Sequence, residues 1–275
     1  SRAYEIDLAS GERVLTEEPE VPFEGSEFEV RQLWYESADG TRAPMYVAHR
    51  RGIELDGTHP TILNGYGGFN AAIKPGFSTM AAVWLELGGV YAVATLRGGS
   101  EYGETWHRDG MLEAKQNVFD DFIAAAEHLI AEGYTSPDRL GIQGGSNGGL
   151  LVASAMTQRP ELFRAVLCTY PDLDMIRFPE FVETNNMPAL LEYGDATDPE
   201  MFAHTRRYSP YQAVRDGVEY PAVMLTSGDL HTRVPPLQAR RMTARLQAAT
   251  RSGLPVILSH DPMGGHAAGR GRPLS

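Results

Sequence analysis

The sequence predicts an α/β chain: a mostly parallel sheet with helices on both faces. Three observations carry this. From Pro60 onward, short apolar runs alternate with longer amphipathic stretches. The apolar runs show no polar alternation, as expected of parallel strands buried on both sides. Glycine-rich turns separate the segments. A chain of 275 residues with 42% hydrophobic content suffices for one large core.

The elements follow in order. "YEIDL", "ASG" and "ERVL" read as strand, turn, strand, and "TEEPE" as a solvated linker. "FEVRQLWYES" and "APMYVAHRR" form a second hairpin around "ADGT". "PTILN" is a short strand leading into "GYGGFN", "MAAVWLELGG" a helix ending at glycine, and "VYAVATL" a buried strand. "NVFDDFIAAAEHLIAEG" is the clearest helix. Phe119, Phe122, Ile123, Ala126, Leu129 and Ile130 share one face, and Gly133 sits at its C-terminal cap. "RLGIQ" is a strand and "NGGLLVASAMTQ" a helix. "RAVLCTY" and "PAVMLTSG" are strands, "PLQARRMTARLQAAT" is an amphipathic helix, and "PVILSH" is a last strand.

The bulk numbers exclude several function classes. The net charge of −12 disfavours nucleic acid or an anionic membrane surface as partner. No apolar run reaches the roughly 18 residues of a membrane span. The single cysteine, Cys168, rules out an internal disulfide, and its place in "AVLCTY" predicts a buried thiol. No H-E-x-x-H spacing occurs, and no metal or organic cofactor is implied.

The chemistry concentrates in "GIQGGSNGGLLV". Gly144-Gly145-Ser146-Asn147-Gly148 fits G-x-S-x-G between a strand and a helix, the context of a nucleophile elbow. The turn lifts the hydroxyl above the sheet and points a helix N-terminus at it, which favours developing negative charge. The competing reading is a glycine-rich turn whose serine merely caps a helix. A serine nucleophile needs a base, and His266 lies in the glycine-rich loop "DPMGGHAAGRG" after the last strand. His49, His59, His107, His128 and His204 have no comparable setting. The order serine, acid, histidine, typical of α/β-hydrolases, directs the search for an acid to "VMLTSGDLHTRV". Oxyanion donors are expected from the Asn147 amide and from Tyr66 in "NGYGGFN".

With these residues in view, the sequence resembles the prolyl oligopeptidase family of serine peptidases. "GYGGFN", "GGVYAVATLRGGSEYGETWH", "KQNVFDDFIAAAEHLI", "GGSNGGLLV", "MTQRPELF", "EYG", "YSPY", "RVPP" and "GH" carry the resemblance, in order, from about Phe28 to His266. It implies an α/β-hydrolase fold that packs against a β-propeller restricting access to short peptides. Residues 1–25 then read as a remnant of propeller strands and hinge. Residues 26–275 read as the catalytic domain, truncated at its C-terminus and lacking most of the propeller. Carried over by position, Ser146 is the nucleophile, His266 the base, and Tyr66 with the Asn147 amide the oxyanion hole. Phe69 resembles a substrate-pocket wall, and Arg233 the arginine that holds a substrate carbonyl.

Two departures stand out. Ala189 in "NNMPALLEYG" occupies the region where proline-specific members carry a stacking tryptophan. The family's acid position, two residues before the arginine of "RV", is His231, and Asp229 lies two residues earlier. A neutral His231 could accept a hydrogen bond from His266 and fix its tautomer, but it brings no negative charge. His231 is therefore expected at the acid position of a catalytically weak chain, with Asp229 as substitute only if the loop turns differently. The leading expectation is a serine peptidase acting through an acyl-enzyme on short peptides. The alternatives are an esterase or acylaminoacyl peptidase, and a catalytically impaired binding domain on a hydrolase fold.

Overall fold

The computed structural model describes residues 3–17, 23–74, 76–181, 187–231 and 233–265. Two short strands, β1 (Ala3–Ile6) and β2 (Arg13–Glu17), pair antiparallel in a sheet of their own. Thr16 and Glu17 of the expected linker complete β2, while 18–20 lie outside the described residues. The hairpin of β3 (Phe28–Glu36) and β4 (Arg42–Arg50) forms one edge of an eight-stranded sheet.

The remaining strands and helices follow the alternation read from the sequence. β5 (Thr61–Asn64) leads through α1 (Thr79–Glu86) to β6 (Val90–Ala94). The short α2 (Glu104–Arg108) and the long α3 (Gln116–Ala131) precede β7 (Leu140–Gly145), followed by α4 (Asn147–Gln158) and β8 (Ala165–Thr169). A helical excursion holds α5 (Phe178–Phe181), α6 (Met187–Tyr193), α7 (Pro199–Tyr208) and α8 (Pro210–Ala213). The chain then returns to β9 (Ala222–Gly228), α9 (Leu237–Ala249) and β10 (Val256–Asp261). Sequence reading assigned nothing in this excursion, although Asp198 caps α7 and Pro199 opens it, a legible start signal. Gly133 has φ +76, and a Cβ there would lie 2.5 Å from the Leu55 carbonyl oxygen, so α3 must end on glycine.

The strand order is β10-β9-β8-β7-β5-β6-β4-β3. The strands from β5 to β10 run parallel, and β4 and β3 join antiparallel. Helices lie on both faces. Along β5 and β6, Ile62 and Tyr91 turn toward α1, while Leu63, Ala92 and Ala94 enter the main core. That core holds the buried faces of α3, α4 and α9, including Phe122, Leu150 and Met242. On the α1 side, the face of β7–β10 forms an apolar groove of about 510 Å³ lined by residues such as Gln143, Leu167, Met224 and Ile257. Successive strands go one way from β5 to β6 and the other way from β5 to β7. The reversal opens a crevice at the carboxyl ends of β5 and β7, where ligands of open α/β sheets bind.

Candidate active site

Ser146 stands at that crevice, between β7 and α4, with φ 57 and ψ −120. A non-glycine residue in this region stores roughly 1–3 kcal/mol of strain, and such outliers cluster at functional sites. The neighbours make the turn feasible. A Cβ on Gly144 would lie 2.0 Å from the Gly148 carbonyl oxygen, and one on Gly148 would lie 2.8 Å from that of Gly65. The Ser146 N–H donates to the Thr169 carbonyl at 2.8 Å, tying the elbow to β8. The Ser146 carbonyl accepts from the N–H groups of Gly149 and Leu150, which starts α4. Its side chain makes no capping hydrogen bond, which removes the reading of Ser146 as a mere helix cap.

The oxyanion side is built around Asn147 and the loop after β5. Asn147 opens α4, and the first-turn N–H groups of a helix have no intrahelical acceptor. The buried Asn147 amide group donates to the Tyr66 carbonyl at 2.6 Å, and its oxygen accepts from the Tyr193 hydroxyl at 2.9 Å. These bonds fix Tyr66 beside the elbow. Burial raises the Tyr66 phenol, with the charges of Glu192 and Asp172 adding to the shift and Arg233 opposing it. The phenol therefore stays protonated at neutral pH and can donate.

Behind this loop lies a buried ion pair that sequence reading missed. The Lys115 ammonium donates to the Gly67 carbonyl and to Glu192 Oε1, each at 3.0 Å. The His107 ring nitrogen Nε2 meets Glu192 Oε2 at 2.9 Å. Burial pushes the Lys115 ammonium down, against the pull of Glu192. The signal was present: Lys115 and Glu192 both lie in stretches that carry the family resemblance. Their pairing across 77 residues was not legible.

Phe69, at φ 56, sets its ring edge-on to Tyr193 at 5.5 Å, and Phe178 packs edge-on to the same ring at 5.2 Å. Phe69 and Tyr193 thus form an aromatic wall beside the elbow. Arg233 is exposed, forms no ion pair among the described residues, and lies close enough for its charge to act on Tyr66. Ala189 is buried. Cys168 is buried as expected, and burial pushes its thiol up.

His266 lies outside the described residues. His231 is buried and stacks on Tyr170 at 5.1 Å. The Val234 N–H donates to His231 Nδ1 at 2.8 Å. With Nδ1 accepting, the neutral ring carries its proton on Nε2. The pairing expected between His231 and His266 falls on a residue outside the described residues, whereas the Val234 contact of the His231 ring lies within them.

Asp229 is engaged elsewhere. Its half-exposed carboxylate contacts His260 Nε2 at 3.2 Å and accepts from Arg240 at 3.0 Å. The bond to His260, then the charges of His260 and Arg240, holds this carboxyl below its ordinary value. Exposed pairs of this kind contribute little. Asp229→Ala is therefore expected to change turnover by less than about twofold; a steady-state assay with an ester substrate measures this. No group of three metal-ligating side chains occurs among the described residues. No helix there is long and apolar enough to cross a membrane.

Comparison with known proteins agrees with this geometry. The model of a family described as the prolyl oligopeptidase family matches residues 75–273. A prolyl endopeptidase of Elizabethkingia miricola is 41% identical over 97% of this chain and 38% of its own length. An uncharacterised peptidase of Sinorhizobium fredii is 41% identical over 98% of this chain and 36% of its own. A solved prolyl endopeptidase superposes with a TM-score of 0.93 at 46% identity, covering 96% of this chain and 39% of that one. A post-proline cleaving enzyme from Rickettsia typhi gives 0.88 at 37% identity, covering 94% and 37%. The chain spans about 38% of the length of the first of these relatives.

Proposed function

The chain belongs to the prolyl oligopeptidase family, and from that premise we propose that it is the catalytic part of a serine peptidase that cleaves short peptides. The observation that carries the reading is Ser146 in its left-handed turn at the start of α4, beside the tethered Tyr66. Ser146 attacks the substrate carbonyl, and His266 takes its proton and later returns it to the leaving amine. The Asn147 N–H and the Tyr66 hydroxyl stabilise the oxyanion. Arg233 holds a neighbouring substrate carbonyl, and Phe69 forms one pocket wall. The two strands β1 and β2 are read as the edge of a propeller that admits only short peptides.

One observation favours a second reading, a hydrolase-fold domain with impaired catalysis. If His231 Nε2–H donates to Nδ1 of His266, the His266 proton sits on Nε2. That is the atom which must accept the proton of Ser146, so the pairing holds the base in the unproductive tautomer.

A fluorophosphonate probe tests the nucleophile, because it requires an activated serine but no particular peptide. Mass spectrometry is expected to find the label on Ser146, with Ser146→Ala unlabelled. Label on another serine, persisting in Ser146→Ala, would overturn the assignment.

A further inference from the structure

Four carboxylates are buried among the described residues: Asp121, Asp172, Asp174 and Glu192. Three have a cationic partner. Asp121 pairs with Arg97 at 2.6 Å, Asp174 with Arg241 at 2.6 Å, and Glu192 with Lys115 at 3.0 Å. Asp172 is 7% exposed and has neither a hydrogen bond nor an ion pair among the described residues. Burial alone pushes its carboxyl up to about 7. An unpartnered buried carboxylate is costly to keep, and a cleft is where such a group points to a ligand.

The position of Asp172 is defined by its neighbours. It follows β8, whose Thr169 carbonyl holds the Ser146 N–H. Pro171 lies against the first turn of α4, where a Cβ on Gly149 would come within 2.7 Å of it. The charge of Asp172 reaches two phenols of the site. Burial is the main cause that raises Tyr193, with Asp172 foremost among the charges that add to it, and Asp172 also acts on Tyr66. The carboxylate thus follows the strand that holds the Ser146 N–H, on the side of the site that carries Tyr66 and Tyr193. Ala189, one helical turn before Tyr193 on α6, shares that side of the helix. Glu192 is already satisfied by Lys115 and His107, and Arg233 is exposed.

We propose that Asp172 is a specificity-determining residue, and that it pairs with the cation of a lysine or arginine on the acyl side of the bond Ser146 attacks. The inference rests on the peptidase reading above. The aliphatic stem of such a side chain packs along the Phe69 and Tyr193 rings, and its charged head supplies the missing partner. A proline ring would leave the carboxylate unpaired.

The test measures binding, so it does not depend on turnover. Two peptides identical except for arginine or proline before the scissile bond are titrated calorimetrically into the Ser146→Ala chain. The arginine peptide is expected to bind at least about tenfold tighter. It should also release protons at pH 7, because pairing ionises Asp172, while the proline peptide should not. Asp172→Asn in the same background should bring the two affinities together and abolish the proton release. Should that variant fail to fold, as judged by circular dichroism, Asp172→Ser serves in its place. Tighter binding of the proline peptide, or an affinity ratio unchanged by the substitution, overturns the role of Asp172 alone. Failure of both peptides to bind overturns the peptide-site reading and this inference with it.

Discussion

Replacing His231 by aspartate is expected to raise turnover by about 10⁴-fold, the scale lost when the triad acid of chymotrypsin-type proteases is converted to a group that imposes the wrong tautomer. The acid of a triad has two tasks. It accepts the proton on the far nitrogen of the catalytic histidine, and its charge stabilises the imidazolium formed as the serine attacks. A neutral histidine at this position brings no negative charge for the second task, and in His231 the Nδ1 atom accepts from the Val234 N–H. An aspartate can accept the Val234 N–H with one oxygen and present the other as an acceptor. It gives up the stacking on Tyr170, a contact worth about 1 kcal/mol. The measurement is kcat on an activated ester and on a peptide for the parent chain, His231→Asp, and each combined with Asp229→Ala. A gain in His231→Asp that survives Asp229→Ala identifies position 231 as the acid site. Substantial parent activity abolished by Asp229→Ala, with the fold intact, would assign the acid to Asp229 instead.

Lys115→Met is expected to destabilise the fold by about 3–5 kcal/mol, because it leaves the Glu192 carboxylate buried without its cation. For a chain of this size that lowers the melting temperature by on the order of 10 °C. Lys115 is 1% exposed at its side chain and Glu192 3%, so water cannot replace the lost partner. The same substitution frees the Gly67 carbonyl and loosens the loop that carries Tyr66. Removing both charges together should recover most of the stability, since two apolar groups of similar size can replace a buried pair at little net cost. Calorimetric melts of Lys115→Met, Glu192→Leu and the double variant measure the coupling directly. A double variant as unstable as the sum of the singles would show that the two side chains act independently.

The succession of strands and helices was legible because each element depends on residues close in sequence. The apolar face of α3 and the glycine that ends it are properties of a single segment. So is the Ser146 elbow, where strand, turn and helix lie within 20 residues and the glycines report how tightly the backbone must pass. His231 at the acid position and Ala189 near "EYG" were likewise visible, since both are departures within local motifs. What the sequence alone could not state was which way a ring points or which charge meets which. The Val234 N–H on His231 Nδ1 is a contact that no local motif announces. Asp229, a candidate acid, places its carboxylate with Arg240 and His260, 11 and 31 residues further along the chain. Lys115 and Glu192 meet only because the excursion after β8 folds back over the loop after β5. Asp172 and Asp174 are two residues apart in one segment, yet one is paired and the other is not. The strength of a charge interaction depends on distance through space and on burial, and both are set by the sheet order that joins β5, β7, β8 and β9. Local sequence determined the fold class and the elbow around Ser146, and tertiary packing decided the partners of Asp229, Lys115 and Glu192, because those pairs join residues far apart in the chain.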